Sequence, residues 1–284
     1  MQTINRLEPL REAVDALRIG GKTLGFVPTM GALHEGHLTL VREARRHADH
    51  VAVSIFVNPR QFGPNEDLDA YPRQLAADAA LLEGEGVDLL WAPTVDVMYP
   101  QGYATNVSVA GLDGVLCGAA RPGHFDGVAT VVCKLFNQVR PDIALFGEKD
   151  WQQLAIIRRM ARDLDLSQPH VDRILGVPTV READGLAMSS RNRYLSSTER
   201  DQAAGLNRAM RKAIDAILAS HSAAAALATL RDEVLASGFR SIDYADLRDA
   251  ETLETLERYD GRPARLLVAA RIGTARLIDN MAVG

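Results

Sequence analysis

The chain has 284 residues, 47% of them hydrophobic, enough to bury a sizeable core and more than one average domain needs, so two domains are expected. The formal net charge of −5 comes from interspersed acids and bases, and pairs such as Arg45-Arg46 and Arg158-Arg159 are too short for a polyanion-binding stripe, which argues against nucleic acid as a partner. No apolar run approaches the ~20 residues that span a bilayer; the start MQTINRLEPLREAVDALR has no signal-peptide core, and Cys117 and Cys133 lack CxxC spacing, so a cytoplasmic protein with neither disulfide framework nor zinc knuckle is expected.

In chain order, β-type apolar runs at 24–27, 51–57, 89–91 and 143–146 are separated by segments of helical spacing, among them 38–48 and 75–83. Such alternation predicts βαβ units on a parallel sheet, an α/β fold. The run 51–57 is apolar at nearly every position, which suits a central strand covered on both faces. Residues 58–72 hold three prolines and a glycine among polar residues, and read as a long surface loop. Near Gly176-Val177-Pro178 the pattern changes, which divides the chain into domains at 1–176 and 177–284. The second opens with Ser196-Ser197-Thr198-Glu199, a capping-box sequence. Helices at 198–218 and 222–236 and strands at 242–247, 265–270 and 274–278 then predict a small α+β unit with an antiparallel sheet.

Four segments bear chemistry. Pro28-Thr29-Met30-Gly31-Ala32-Leu33-His34-Glu35-Gly36-His37 follows an apolar strand and enters a helix, whose unpaired N–H groups and dipole suit a phosphate. Its two imidazoles can stabilise charge that develops on a triphosphate. A metal-binding His-x-x-His pair and an incidental surface pair are the alternatives, and for the first no third ligand stands at suitable spacing. Ala187-Met188-Ser189-Ser190-Arg191-Asn192 offers hydroxyls and a guanidinium for an anion, although alone such a loop is more often a polar turn. Phe146-Gly147-Glu148-Lys149-Asp150-Trp151-Gln152-Gln153 lies at a strand end, the usual crevice of an open α/β sheet. Lys149 can reach a phosphate or carboxylate there and Gln153 a polar substrate; the plainer reading is a helix start balanced by its own dipole. Asn58-Pro59-Arg60-Gln61-Phe62-Gly63 with Asp67-Leu68-Asp69-Ala70-Tyr71-Pro72 combines turn formers with amides that orient hydroxyls or a carboxylate.

The paired early His-Glu-Gly-His and late Met-Ser-Ser-Arg signatures resemble those of the class I aminoacyl-tRNA synthetase and nucleotidyltransferase superfamily, whose members cleave ATP between its α and β phosphates. The series MGALHEGH, IFVNPRQFGPNEDLDAYPR, RPGHFDGVATVV, LFGEKDWQQL, DGLAMSSRN, SIDYADLRD and LLVAARIGTARLIDN resembles, from end to end, the pantothenate synthetase (pantoate–β-alanine ligase) family. The resemblance implies a Rossmann-like domain that holds ATP and pantoate, a smaller C-terminal α+β lid domain, Mg²⁺, and a cytoplasmic homodimer. It implies ATP-dependent ligation of (R)-pantoate and β-alanine through a pantoyl adenylate. Matched motif by motif, the ATP site takes Met30, Gly31, Ala32, Leu33, His34, Glu35, Gly36 and His37, then Gly147, Glu148, Lys149 and Asp150, then Val180, Met188, Ser189, Ser190 and Arg191. His37 is the implied proton donor, and His34 and Lys149 flank the reacting phosphate. Asn58, Gln61 and Gln153 hold pantoate, with Gln61 also touching the β-alanine site, and Asp78 aligns with a magnesium-associated acid. The rival readings are an adenylyltransferase that needs no amine and a nucleotide-sensing module without chemistry.

Overall fold

Leu24, Phe26 and Val27 are fully buried, as are Val51, Ala52 and Val53, and strands covered on both faces are what a parallel sheet between helix layers requires. The computed structural model describes every residue except Asn65, Asp67 and His221. Two compact units result, Met1–Glu148 with Gln153–Pro178, and Lys149–Gln152 with Thr179–Gly284.

The first unit runs β1 (Gln2–Ile4), α1 (Leu7–Leu17), β2 (Leu24–Thr29), α2 (Glu35–His47), β3 (His50–Ile55), α3 (Leu75–Gly84), β4 (Leu89–Trp91), the short α4 (Val95–Met98) and α5 (Cys117–Ala120), α6 (His124–Val139), β5 (Ile143–Gly147), α7 (Trp151–Asp163, of which Gln153 onward belongs to this unit) and β6 (Ile174–Val177). Its sheet has the order β1-β4-β3-β2-β5-β6, and every pairing is parallel. From β2 the chain first builds outward through β3 and β4, then returns to add β5 and β6 on β2's other side. The strand order therefore reverses between β2 and β5, and in such folds the ligand crevice opens beyond the carboxyl ends of the strands at that reversal. Val27, Leu33, Val41, Val53, Leu90 and Leu145 belong to one buried cluster that ties the sheet to its helices. Full burial of each such side chain contributes about 1.5–3 kcal/mol.

The second unit contains α8 (Ser197–Ser220), α9 (Ala223–Ala236) and an antiparallel sheet β7 (Ser241–Asp249), β8 (Ala264–Ile272), β9 (Ala275–Val283). Leu206, Met210, Leu230, Val234, Leu247, Leu266 and Val268 form its core. The capping box is present at the start of α8: the Ser196 hydroxyl accepts from Glu199 N–H at 3.3 Å, and Glu199 accepts from Ser196 N–H at 2.8 Å. These Ser196 donors hold the Glu199 carboxyl below its ordinary value.

The compact units divide after Pro178, where the sequence places the change after Gly176, and the sequence does not assign Lys149–Gln152 to the second unit. The physical reason is local. The Lys149 carbonyl accepts from Asn280 Nδ2 at 2.9 Å, Trp151 Nε1 donates to the Ala250 carbonyl at 2.8 Å, and the Arg265 guanidinium lies 3.5 Å from the Trp151 ring centroid. Strand β3 also stops at Ile55 instead of 57, and β9 runs on to Val283 rather than ending at 278.

Candidate active site

Beyond the end of β2 the chain makes a tight approach to α2. Gly31 has φ +82° and a Cβ there would sit 3.0 Å from Asp78 Oδ2 and 3.1 Å from Ile55 Cγ2, so the position needs glycine for conformation and for space. Ala32 follows with φ +53°, a left-handed geometry that costs an L-residue roughly 1–2 kcal/mol. Asp78, on α3, offsets it. Its Oδ2 accepts from Ala32 N–H at 2.9 Å and its Oδ1 from Leu33 N–H at 3.0 Å and from Gln74 Nε2 at 3.1 Å. Asp78 is 1% exposed, so it is neither a solvated surface acid nor a ligand open to approach.

The loop then caps its own helix with imidazoles. His34 is the N-cap of α2 in extended conformation. Its Nδ1 accepts from Gly36 N–H at 3.1 Å, while His37 Nδ1 faces His34 N–H at 3.3 Å. Two backbone donors aimed at two Nδ1 atoms place the ring hydrogen of each neutral imidazole on Nε2. The rings lie 4.1 Å apart between centroids, tilted by 39°. Both Nε2–H groups therefore become donors at the positive end of the helix dipole, an arrangement suited to an anion. Glu35 is turned outward to an ion pair with Arg42.

At the end of β3, Asn58 is 1% exposed and Gln61 8%, which departs from the surface loop expected for this stretch. Asn58 Oδ1 accepts from Arg60 N–H at 3.2 Å and from the Tyr99 hydroxyl at 2.9 Å; its Nδ2 donates to Gln61 Oε1 at 3.1 Å and to the Gly127 carbonyl at 3.0 Å. Gln61 Nε2 in turn donates to Met30 Sδ at 2.9 Å. The Gln61 carbonyl is held by His124 Nδ1 at 2.7 Å and Arg121 Nη2 at 3.2 Å. Arg121 also grips Glu66 at 2.5 and 2.6 Å; burial works to raise the Glu66 carboxyl, but Arg121 brings it below its ordinary value. Asn65 and Asp67 of this loop lie outside the described residues. Gly147 closes β5 beside β2, and Glu148 follows it in a single 3₁₀ turn. Gln153 is half-buried in the first turn of α7.

In the second unit Lys149 stands 3.9 Å from Asp150. Residues 179–188 double back as a hairpin in which Met188 N–H donates to the Val180 carbonyl at 3.0 Å. Ser189 then caps the 3₁₀ turn Ser190–Tyr194 by accepting from Arg191 N–H at 3.2 Å. Asn192 Nδ2 ties this turn to the hairpin through Glu182 Oε1 at 2.9 Å and the Ala187 carbonyl at 3.1 Å. Arg181 forms a forked pair with Asp279 at 2.7 and 2.9 Å, geometry that is specific as well as strong. Ser189, Ser190 and Arg191 thus leave a braced hairpin rather than a free loop.

The Pantoate-beta-alanine ligase family model matches residues 2–282. The chain belongs to this family. It is 78% identical over its whole length to a curated pantothenate synthetase of Novosphingobium aromaticivorans, of which the match covers 99%. Among solved structures, the pantothenate synthetase of Thermus thermophilus is similar with a TM-score of 0.92 at 48% identity, over 100% of this chain and 99% of that one. The pantoate–β-alanine ligase of Francisella tularensis, complexed with beta-gamma ATP and β-alanine, is similar with a TM-score of 0.81 at 34% identity, over 99% and 97%.

Within the frame of the pantoate–β-alanine ligase family, the structure joins Met30, Asn58 and Gln61 in one hydrogen-bonded chain and sets His34 against His37. Asp78 is the exception. Both of its oxygens serve the Ala32 and Leu33 backbone, and no group of three or more His, Cys, Asp or Glu able to hold a metal occurs among the described residues. The carboxylate of Asp78, aligned with the magnesium-associated acid, is engaged here as a backbone clamp. Reading residues one by one missed Tyr99, Arg121, His124 and Gly127. Arg121, His124 and Gly127 fall in RPGHFDGVATVV, and the need for glycine at 127 shows only in the fold, where a Cβ would lie 2.3 Å from the Arg60 carbonyl oxygen.

Proposed function

We infer that the chain is an ATP-dependent ligase that joins (R)-pantoate to β-alanine through a pantoyl adenylate, releasing pyrophosphate and AMP. The observation that supports it most is the glycine-bent, doubly histidine-capped helix start at the sheet's reversal point, in a chain that the ligase family matches from residue 2 to 282. A carboxylate resists attack by an amine at neutral pH until one oxygen becomes a good leaving group, and ATP supplies AMP for that purpose. Gln61, with Asn58 and Gln153, holds the pantoate carboxylate and hydroxyls for in-line attack on the α-phosphate. His34 and His37 donate hydrogen bonds through Nε2–H to oxygens on which charge builds, His37 being the donor that the family resemblance implies. On the motif match to the family we assign Lys149, Ser189, Ser190 and Arg191 to the ATP phosphates, and Met30, Gly31, Ala32, Leu33, Glu35, Gly36, Gly147, Glu148, Asp150, Val180 and Met188 to the nucleotide. The β-alanine amine then displaces AMP and leaves an amide.

Mg²⁺, which the family resemblance implies, would enter with ATP and offset the charge of its phosphates. A cytoplasmic homodimer is the assembly that the family resemblance supports. With ATP and pantoate present and β-alanine withheld, pantoyl adenylate accumulates on the enzyme and is detected by mass spectrometry; its absence alongside pantothenate formation would reject the two-step scheme.

A further inference from the structure

Tyr99 lies outside every motif that the proposed function uses, yet its hydroxyl donates into the acid-binding amides. It caps α4 and is half-buried. Its ring stands edge-on to Tyr103 at 5.1 Å and tilted against Phe56 at 6.2 Å, with the Arg60 guanidinium 5.5 Å from its centroid. Burial, the largest influence, raises the phenol above its ordinary value, so the group stays neutral and keeps a hydrogen to give. That hydrogen goes to Asn58 Oδ1 at 2.9 Å.

The consequence runs along the chain of amides. Asn58 Oδ1 receives two donors, Tyr99 and Arg60 N–H, while its Nδ2 faces two acceptors, the Gly127 carbonyl and Gln61 Oε1. Reversing the Asn58 amide would set NH₂ against a backbone N–H and oxygen against a carbonyl, so its polarity is determined. Gln61 Oε1 is thereby engaged as an acceptor, and Gln61 Nε2 points towards Met30, on the loop that ends in His34 and His37. An amide that presents N–H to that side favours a carboxylate or hydroxyl oxygen over a donor. The backbone groups decide which way round Asn58 sits; among the described residues the Tyr99 hydroxyl is the one side-chain donor to its Oδ1.

We propose that Tyr99 is a positioning residue for the acid substrate, acting through Asn58 to keep the Gln61 amide donor aimed at an oxygen of that acid. The proposal rests on the reading that Gln61 binds pantoate, and Gln61→Ala tests that reading separately. In steady-state kinetics, Tyr99→Phe keeps the ring and raises the KM for pantoate roughly three- to tenfold, the worth of one hydrogen bond. The KM for ATP stays within about twofold, a split that general loosening of the fold would not produce. Made in a Gln61→Ala background, Tyr99→Phe adds no further rise, because both act on one contact. An unchanged pantoate KM in Tyr99→Phe, with Gln61→Ala raised, overturns the relay while the substrate reading stands, and a parallel rise in both substrate KM values overturns it equally. Should Gln61→Ala leave the pantoate KM unchanged, the underlying reading falls and the proposal with it.

Discussion

His37→Ala lowers the rate of adenylation by about 10²-fold or more, measured as the pyrophosphate burst with saturating ATP and pantoate. The argument is one of magnitude. A hundredfold loss corresponds to about 2.7 kcal/mol of transition-state stabilisation, the usual effect of deleting one preorganised donor from a site that builds negative charge. The side chain also accepts from His34 N–H, and loss of a helix-start acceptor costs about 1 kcal/mol of folding stability, too little to empty the folded state. ATP binding by calorimetry therefore survives while chemistry fails. A near wild-type burst would remove His37 from the reaction.

Asp78→Ala is expected to have the largest effect on stability of any single change near the site. It strands two N–H groups, those of Ala32 and Leu33, on residues with relative exposures of 0% and 5%, at about 1–3 kcal/mol for each unsatisfied donor. It also removes the anchor of a left-handed alanine. The thermal midpoint falls by several degrees, at about 2–4 °C per kcal/mol for chains of this order of size. Asp78→Asn separates the clamp from a metal role, because it keeps one acceptor and the shape but loses the charge. The clamp predicts a smaller fall in midpoint and an unchanged Mg²⁺ concentration for half-maximal rate; a tenfold rise in that concentration at unchanged stability would restore the metal assignment.

What the sequence discloses follows from how local each determinant is. Strands such as β2 and β5 announce themselves because both faces are apolar, and the cap at Ser196 is written within four residues. The role of Asp78 is invisible because its partners are backbone groups some 46 positions away; in sequence it is a lone acid in an alanine-rich helix. Helix α6 carries Val128, Thr130, Val131 and Val132, a β-branched run that speaks for a strand as much as a helix. Its place is settled by Gly127, which lets it lie against the Arg60 and Gln61 backbone. Tyr99 escapes notice for the same reason, since only the fold brings it to Asn58. The histidine motif was legible as a donor pair, whereas the reciprocal capping that orients both rings needed coordinates.

The most direct measurement is release of AMP and pyrophosphate with ATP, Mg²⁺, (R)-pantoate and β-alanine, each omitted in turn. The account predicts that AMP release requires all four and is matched by pantothenate. Pyrophosphate release that needs neither pantoate nor β-alanine would contradict it.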